Sequence, residues 1–329
     1  MKQDQLGGGT AVSPPTILSA HNLSNSYGGA PALRGLSFTL QAGRVLGFLG
    51  PNGAGKTTAI RILTTILESS SGEFSVDGVS SRQPEKIRRK IGVLPESLGF
   101  PKQMTATEYL IYFGRHYGHS TATAKAHAAA LLMEVGLAQR ANSLIGSYSR
   151  GMRQRLGIAR ALVNDPVVVF LDEPTLGLDP RGKQELLVLV RRIATQRQAG
   201  VILCSHLLAE VEEVCDDVVI LRQGQVVARG TVAEVMQNAQ SGAARIHVPV
   251  DSVAQTEALL TQQSEVTAVS TRNGRDGWLG IHLADDVTPH QLNHLLASLI
   301  AADIPVLHFE GENGRLQDVF FQLTEEANA

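Results

Sequence analysis

The sequence predicts an α/β fold: a larger domain built on a mixed sheet core, followed by a smaller α+β domain. Three observations carry the prediction. The glycine-rich segment Gly50-Pro51-Asn52-Gly53-Ala54-Gly55-Lys56-Thr57-Thr58 stands between the apolar run 45–49 and a helix-forming stretch at 59–67. Two further short apolar runs, 167–171 and 201–204, end abruptly in polar residues, as strands buried on both faces of a sheet do. At 329 residues the chain also exceeds the roughly 250–300 at which a single core stops growing.

The glycine-rich segment has the chemistry of a phosphate cradle. Gly50, Gly53 and Gly55 admit backbone conformations closed to other residues, so successive N–H groups can turn inward on a polyphosphate. The helix that follows adds the positive end of its dipole. Lys56 is placed to reach β- and γ-phosphates, and the Thr57 hydroxyl to ligand an accompanying Mg²⁺. Strand, glycine turn and helix together read as a P-loop.

Composition bounds the rest. With 43% apolar residues the chain can bury proper cores. No run approaches the ~18 apolar residues of a membrane span, and residues 1–15 lack a signal-peptide core. A soluble, cytoplasmic protein is expected, with residues 1–15 as a flexible leader. Cys204 and Cys215 are too few for a disulfide framework and have no metal-type spacing, so buried thiols are expected. Residues 231–329 carry 4 Lys and Arg against 13 Asp and Glu, whereas residues 1–230 carry 25 against 18. The positive first part suits a polyanionic nucleotide or is simply a solvated face, and the acidic second part argues against nucleic acid.

In chain order, strands are expected at 17–26 and 33–40, ahead of the phosphate loop, with a strand pair at 72–79 and an apolar strand at 91–94 leading to Glu96. Tyr27 sits at a turn, where its ring can stack on an adenine or merely pack. Residues 104–140 are alanine-rich and read as a helical insertion. Ser149 is a natural N-cap for a helix running to Leu162, and with Gly151 it makes a second anion-facing helix start. The strand 167–171 delivers Asp172 and Glu173 to a sheet edge where α/β folds bind ligands. Asp172 there would hold Mg²⁺ through water, and Glu173 would orient and deprotonate an attacking water. Leu178-Asp179-Pro180 breaks the chain before a helix at 183–195, and the strand 201–204 brings His206 to the same edge, where a γ-phosphate contact is expected.

Taken together, residues 17–235 resemble the nucleotide-binding subunit of an ATP-binding-cassette (ABC) transporter, with six separated motifs in the family order. The resemblance implies an ABC-type P-loop NTPase fold, in which an antiparallel β subdomain and a helical subdomain at about 97–162 flank the core of a domain at 16–235. It implies that Tyr27 stacks on adenine, that Gly50 to Thr58 is the Walker A loop, and that Glu96 stands at the Q-loop position as a Mg²⁺ ligand beside Thr57 and Asp172. Residues 148–152 match the signature, in which Ser149 and Gly151 face the γ-phosphate. Residues 167–173 match Walker B, Asp179 lies in the D-loop, and His206 is the switch histidine. Two copies would close head to tail on ATP and Mg²⁺, driving a membrane permease that docks near residues 97–112. The resemblance implies that this work would be done as a peripheral subunit on the inner face of the cell membrane.

Two departures narrow the resemblance. The signature reads Tyr148-Ser149-Arg150-Gly151-Met152 where Leu-Ser-Gly-Gly-Gln is commonest, and Glu96 replaces a glutamine. Both are similar to ATPases that serve ABC-2-type permeases, mostly exporters, and also to the ATPase of the copper-linked nitrous-oxide-reductase maturation system. A soluble cassette ATPase acting on ribosomes or DNA is the alternative. Such proteins generally carry paired cassettes or a long coiled-coil insertion, whereas this chain has one cassette. A P-loop metabolite kinase leaves the Ser149 helix and the His206 strand unexplained.

Residues 244–329 read as strand 244–250, helix 252–260, strands 266–271 and 278–283, helix 289–302 and strand 306–309, a ferredoxin-like βαββαβ order, closed by a helix at 316–324. This domain is similar to the small C-terminal extension of such subunits, with a dimerisation or regulatory role as a hypothesis. His290 and His294 have the i, i+4 spacing of a metal pair, without an evident third ligand.

Overall fold

Long alternating segments at the start of the chain form β1 (Thr16–Tyr27) and β2 (Ala30–Gln41), which pair antiparallel across the Gly28-Gly29 turn. The computed structural model describes residues 14–238, 243–271, 277–284 and 287–311, together with Leu316 and Phe320. The expected leader at 1–15 and the Asn273-Gly274 turn therefore fall largely or wholly outside the described residues, as does most of the closing helix. Contacts divide the chain into Met1–Thr231 and Val232–Ala329.

In the first unit β3 (Val45–Leu49), buried at every position, runs into the phosphate loop and α1 (Lys56–Leu63). The chain then returns through β4 (Ser71–Val76) and β5 (Val79–Ser80), which join the first hairpin in a four-stranded sheet of order β2-β1-β4-β5. A short α2 (Pro84–Arg88) leads to β6 (Ile91–Leu94). The insertion follows as α3 (Ala106–His116) and α4 (Thr121–Glu134), the first opened by a reciprocal capping box between Thr105 and Glu108. After α5 (Arg150–Ala161), strands and helices alternate: β7 (Val168–Asp172), α6 (Pro180–Arg197), β8 (Gly200–Cys204), α7 (Leu208–Val214), and the hairpin β9 (Asp217–Arg222) and β10 (Gln225–Thr231).

These strands make a six-stranded sheet of order β10-β9-β3-β8-β7-β6, parallel except for β10. Its parallel strands are dominated by Val, Ile, Leu and Phe because both faces are covered. One core joins the two sheets, and Phe38 of β2 meets Phe48 of β3 edge-on at 5.1 Å between ring centroids. The topology sets the C-terminal ends of β3, β6, β7 and β8 along one edge, so that Asp172 ends a strand there and Gly50, Glu96 and His206 follow strands that end there.

The second unit opens with α8 (Val232–Asn238) and continues with β11 (Ala243–His247), α9 (Val253–Thr261), β12 (Val266–Thr271), β13 (Trp278–Leu283), α10 (Pro289–Ala301) and β14 (His308–Gly311). The antiparallel order β12-β13-β11-β14 is that of the split βαββαβ unit, with a separate core of Ala244, Ile246, Leu279 and Ile281 against Leu260, Leu295 and Leu299.

Several bounds differ from the sequence reading. Helix α6 begins three residues early, because Pro180 suits the first helical position and the Asp179 side chain caps the N–H of Gly182. Strand β11 stops at His247 before Pro249, and β14 starts at His308 rather than 306. Helix α7, seven residues without a side-chain cap, was not expected at all. His290 and His294 are exposed on α10, and among the described residues no third metal donor joins them.

Candidate functional site

The phosphate loop wraps the ammonium of Lys56, which donates to the carbonyls of Gly50 at 2.6 Å and Pro51 at 3.2 Å. Gly55 cannot be replaced cheaply: its φ is +106°, and a Cβ there would stand 2.6 Å from the Ala32 carbonyl of β2. That close approach seats the β1–β2 hairpin against the loop, and the hairpin turn carries Tyr27, 47% exposed. The loop is also anchored from behind, where Gly224 of the β9–β10 turn donates to the Ala54 carbonyl. Thr57 and Thr58 are the second and third residues of α1, and Asn52 and Gly53 lie exposed at the crest.

At the end of β7, Asp172 is pushed up to about 6. Burial is the largest cause, followed by the neighbouring charges of Glu96 and Glu173, while Lys56 and Arg61 pull the other way. Lys56, Glu96 and Glu173 thus all stand close enough to Asp172 for their charges to act on it. A site of oxygen donors whose crowding disfavours the ionised carboxylate fits a hard dication, which would offset that repulsion. The donors available are the Thr57 hydroxyl, Asp172 and Glu96.

Glu173 adopts φ +49°, a left-handed conformation uncommon for a non-glycine residue and costing on the order of 1 kcal/mol. Its N–H donates to the Cys204 carbonyl of β8, and its Oε2 lies 2.8 Å from His206 Nδ1. An ionised carboxylate only accepts, so this pair sets the imidazole with Nδ1 protonated and Nε2 open to a further partner. Two residues expected to meet a nucleotide separately therefore meet each other.

Beneath them lies a carboxylate the sequence reading missed. Glu210 of α7 is 7% exposed. Its Oε2 accepts from Thr175 at 2.5 Å and Ser205 at 3.2 Å, and Lys183 stands 3.3 Å from its Oε1. Ser205 in turn accepts from the N–H of Leu207. Glu210 thus ties the loop after Glu173 to the loop carrying His206. The signal available was an acidic residue one helical turn beyond a strand-end histidine, on a helix too short to be foreseen. Cys204 and Cys215 are both buried free thiols, and burial pushes Cys204 well above the usual range.

A second cleft, about 520 Å³, is lined by Ser149, Gly151, Leu178 and Asp179 among others, and by no residue of the phosphate loop. Ser149 caps α5 by accepting from the N–H of Met152 at 3.3 Å. Tyr148 is buried, its hydroxyl donating to the Arg140 carbonyl, so this signature position is a packing residue. The structure therefore brings together one group around Lys56 and another around Ser149, the second lining a cleft that contains no phosphate-loop residue.

Comparison with known proteins gives concordant results. Residues 33–176 match the family model described as ABC transporter. The chain is similar to the linearmycin resistance ATP-binding protein LnrL of Bacillus subtilis, at 32% identity over 94% of this chain and 98% of that one. It is similar as well to the daunorubicin/doxorubicin resistance ATP-binding protein DrrA of Streptomyces peucetius, at 35% identity over 95% and 94%. A solved structure described as the ATP-binding subunit of an ABC transporter superimposes with TM-score 0.60 at 32% identity, covering 68% of this chain and 93% of that one.

Proposed function

The chain belongs to the ATP-binding proteins of ABC transporters, with the ATPase fold and activity of that family, and from that premise we propose that it powers an ABC-2-type exporter by closing as a dimer on ATP. The observation that carries the dimer is the split site. Lys56, Asp172, Glu173 and His206 converge on one edge, while Ser149, Gly151 and Asp179 line a cleft that contains no phosphate-loop residue. A second copy turned head to tail supplies the missing half to each. The export role is supported by relatives named for resistance to linearmycin and to daunorubicin and doxorubicin.

In this reading Tyr27 stacks on the adenine, the N–H groups of residues 50–58 hold the phosphates, and Lys56 leaves the loop carbonyls for the β- and γ-phosphates. Thr57, Glu96 and Asp172 would hold Mg²⁺, which when bound offsets the phosphate charge. Glu173 then takes the proton of the water that attacks the γ-phosphorus, and His206, oriented by Glu173, contacts the γ-phosphate through its free nitrogen. Hydrolysis releases the closed state, a ligand-biased two-state cycle. Among the described residues no helix is long and apolar enough to cross a membrane. The spanning part would be a separate ABC-2-type permease docked near residues 97–112 on the inner face of the membrane.

The test is Glu173→Gln. Turnover is expected to fall at least about a hundredfold, as for loss of a general base, while light scattering shows an ATP-dependent dimer. A variant that stays monomeric with ATP and still hydrolyses it overturns the proposal. Isolated from its native membranes, the trapped dimer is expected to bring a polytopic membrane protein with it. Ribosomal or DNA-binding partners in its place would favour the soluble class.

A further inference from the structure

Arg150 is the first residue of α5, where a cation faces the positive end of the helix dipole. Its side chain is exposed, and among the described residues it has no ion pair or hydrogen bond. What holds it is a glycine. A Cβ on Gly177 would stand 2.8 Å from Arg150 Nε and 2.5 Å from Nη1, with Cζ equally close, so the guanidinium lies flat over the glycine's α-carbon. Gly177 has φ +71°, and the next residue, Leu178, packs back on Gly151, with Cδ2 3.7 Å from where a Cβ of Gly151 would be. The seat of Arg150 belongs to the loop that begins at Glu173 and ends at Asp179, the cap of α6.

The start of α5 and the loop after Glu173 are therefore packed as one piece, by a planar group on one side and a leucine on the other. We propose that Arg150 is a positioning residue that couples the two ATP sites of the dimer. Seated on Gly177, it moves the loop after Glu173 when the start of α5 engages the nucleotide held by the second copy. The inference rests on the paired-copy reading given above. A rigid contact joining two sites in this way is a coupling free energy between them, and reading it needs both sites filled.

The test compares full-length wild type with Arg150→Gly, Arg150→Lys, Gly177→Ala and the double variant Arg150→Gly/Gly177→Ala, measuring hydrolysis rate against ATP concentration. A methyl at Gly177 displaces the guanidinium, the free end of a flexible side chain, but an alanine at φ +71° also strains the loop backbone, so the arginine variants carry the test and Gly177→Ala supports it. Wild type should show a Hill coefficient above 1. Each single variant should bring it towards 1 and lower kcat about tenfold, with KM within about twofold; the melting temperature should change little in the Arg150 variants and fall by a few degrees in Gly177→Ala, whose φ of +71° strains an alanine. The double variant should be no worse than either single, since both remove one contact. Lysine should not rescue, because it carries the charge without the plane. A wild-type Hill coefficient of 1, wild-type kinetics in Arg150→Gly or Arg150→Lys, or multiplied losses in the double variant overturns the inference. Each variant is also made with Glu173→Gln: if Glu173→Gln alone forms no ATP-dependent dimer, the paired-copy reading fails; if it does and Arg150→Gly is kinetically normal, only the role of Arg150 fails.

Discussion

Asp172 shows how a single side chain is set by its neighbours rather than by its own chemistry. Burial first, then Glu96 and Glu173, raise its carboxyl to about 6. A carboxyl raised in the folded state binds protons more tightly there than in the unfolded chain, so stability is lost as pH rises from the ordinary aspartate range through about 6. Without nucleotide or magnesium, Asp172→Asn should therefore stabilise the protein above pH 6 and change little below pH 4. Discounted for partial solvent contact, the gain is about 1 kcal/mol, or a melting temperature higher by roughly 2–4 °C for a unit of this size. Thermal melts across that pH range check it, and a melting temperature lowered at pH 7.5 would contradict the crowding argument. Hydrolysis should fall with the same substitution, since the lost oxygen is a proposed metal donor.

Glycines at element crossings decide how closely helices approach the sheet. Gly92 lies in β6 directly under the end of α5, where a Cβ would strike the Ala161 carbonyl and stand 3.1 Å from Pro166 Cγ. Neither neighbour is a flexible side chain, so the crossing cannot open locally. Gly92→Ala should cost about 1–3 kcal/mol, the usual penalty of overpacking, and should lower the melting temperature of the first unit. The start of α5 also carries Ser149, so a tilt of this helix should impair dimer closure even though residue 92 touches no nucleotide. Gly114, where α3 meets α4 with Ala124 3.0 Å from a Cβ position, is a similar crossing inside the insertion.

At the scale of the molecule, two cores give two thermal responses. The residues around Phe48 and Phe170 form one core and those around Ile246 and Ile281 another, and separate cores unfold as separate units unless a large interface joins them. Scanning calorimetry should resolve two transitions. ATP with magnesium should raise only the one belonging to Met1–Thr231, by about 2.7 kcal/mol at a hundred times the dissociation constant. A single transition that shifts as a whole would mean that the second unit is thermodynamically part of the cassette.

The phosphate loop, the buried strands and the residues that end them were legible in the sequence, because each is a local rule. Glycine spacing, an unbroken apolar run and an N-cap serine act within a dozen residues of themselves. The strand order of the second unit was legible for the same reason, through alternation and turn residues. What tertiary structure alone decided is where chain-distant groups meet. Glu173 pairs with His206, 33 residues on; Glu210 ties the two loops from a helix too short to announce itself; Arg150 rests on Gly177. Such contacts arise because parallel strands need long crossovers, so a sheet edge gathers residues from widely separated segments, and no local pattern records which of them touch.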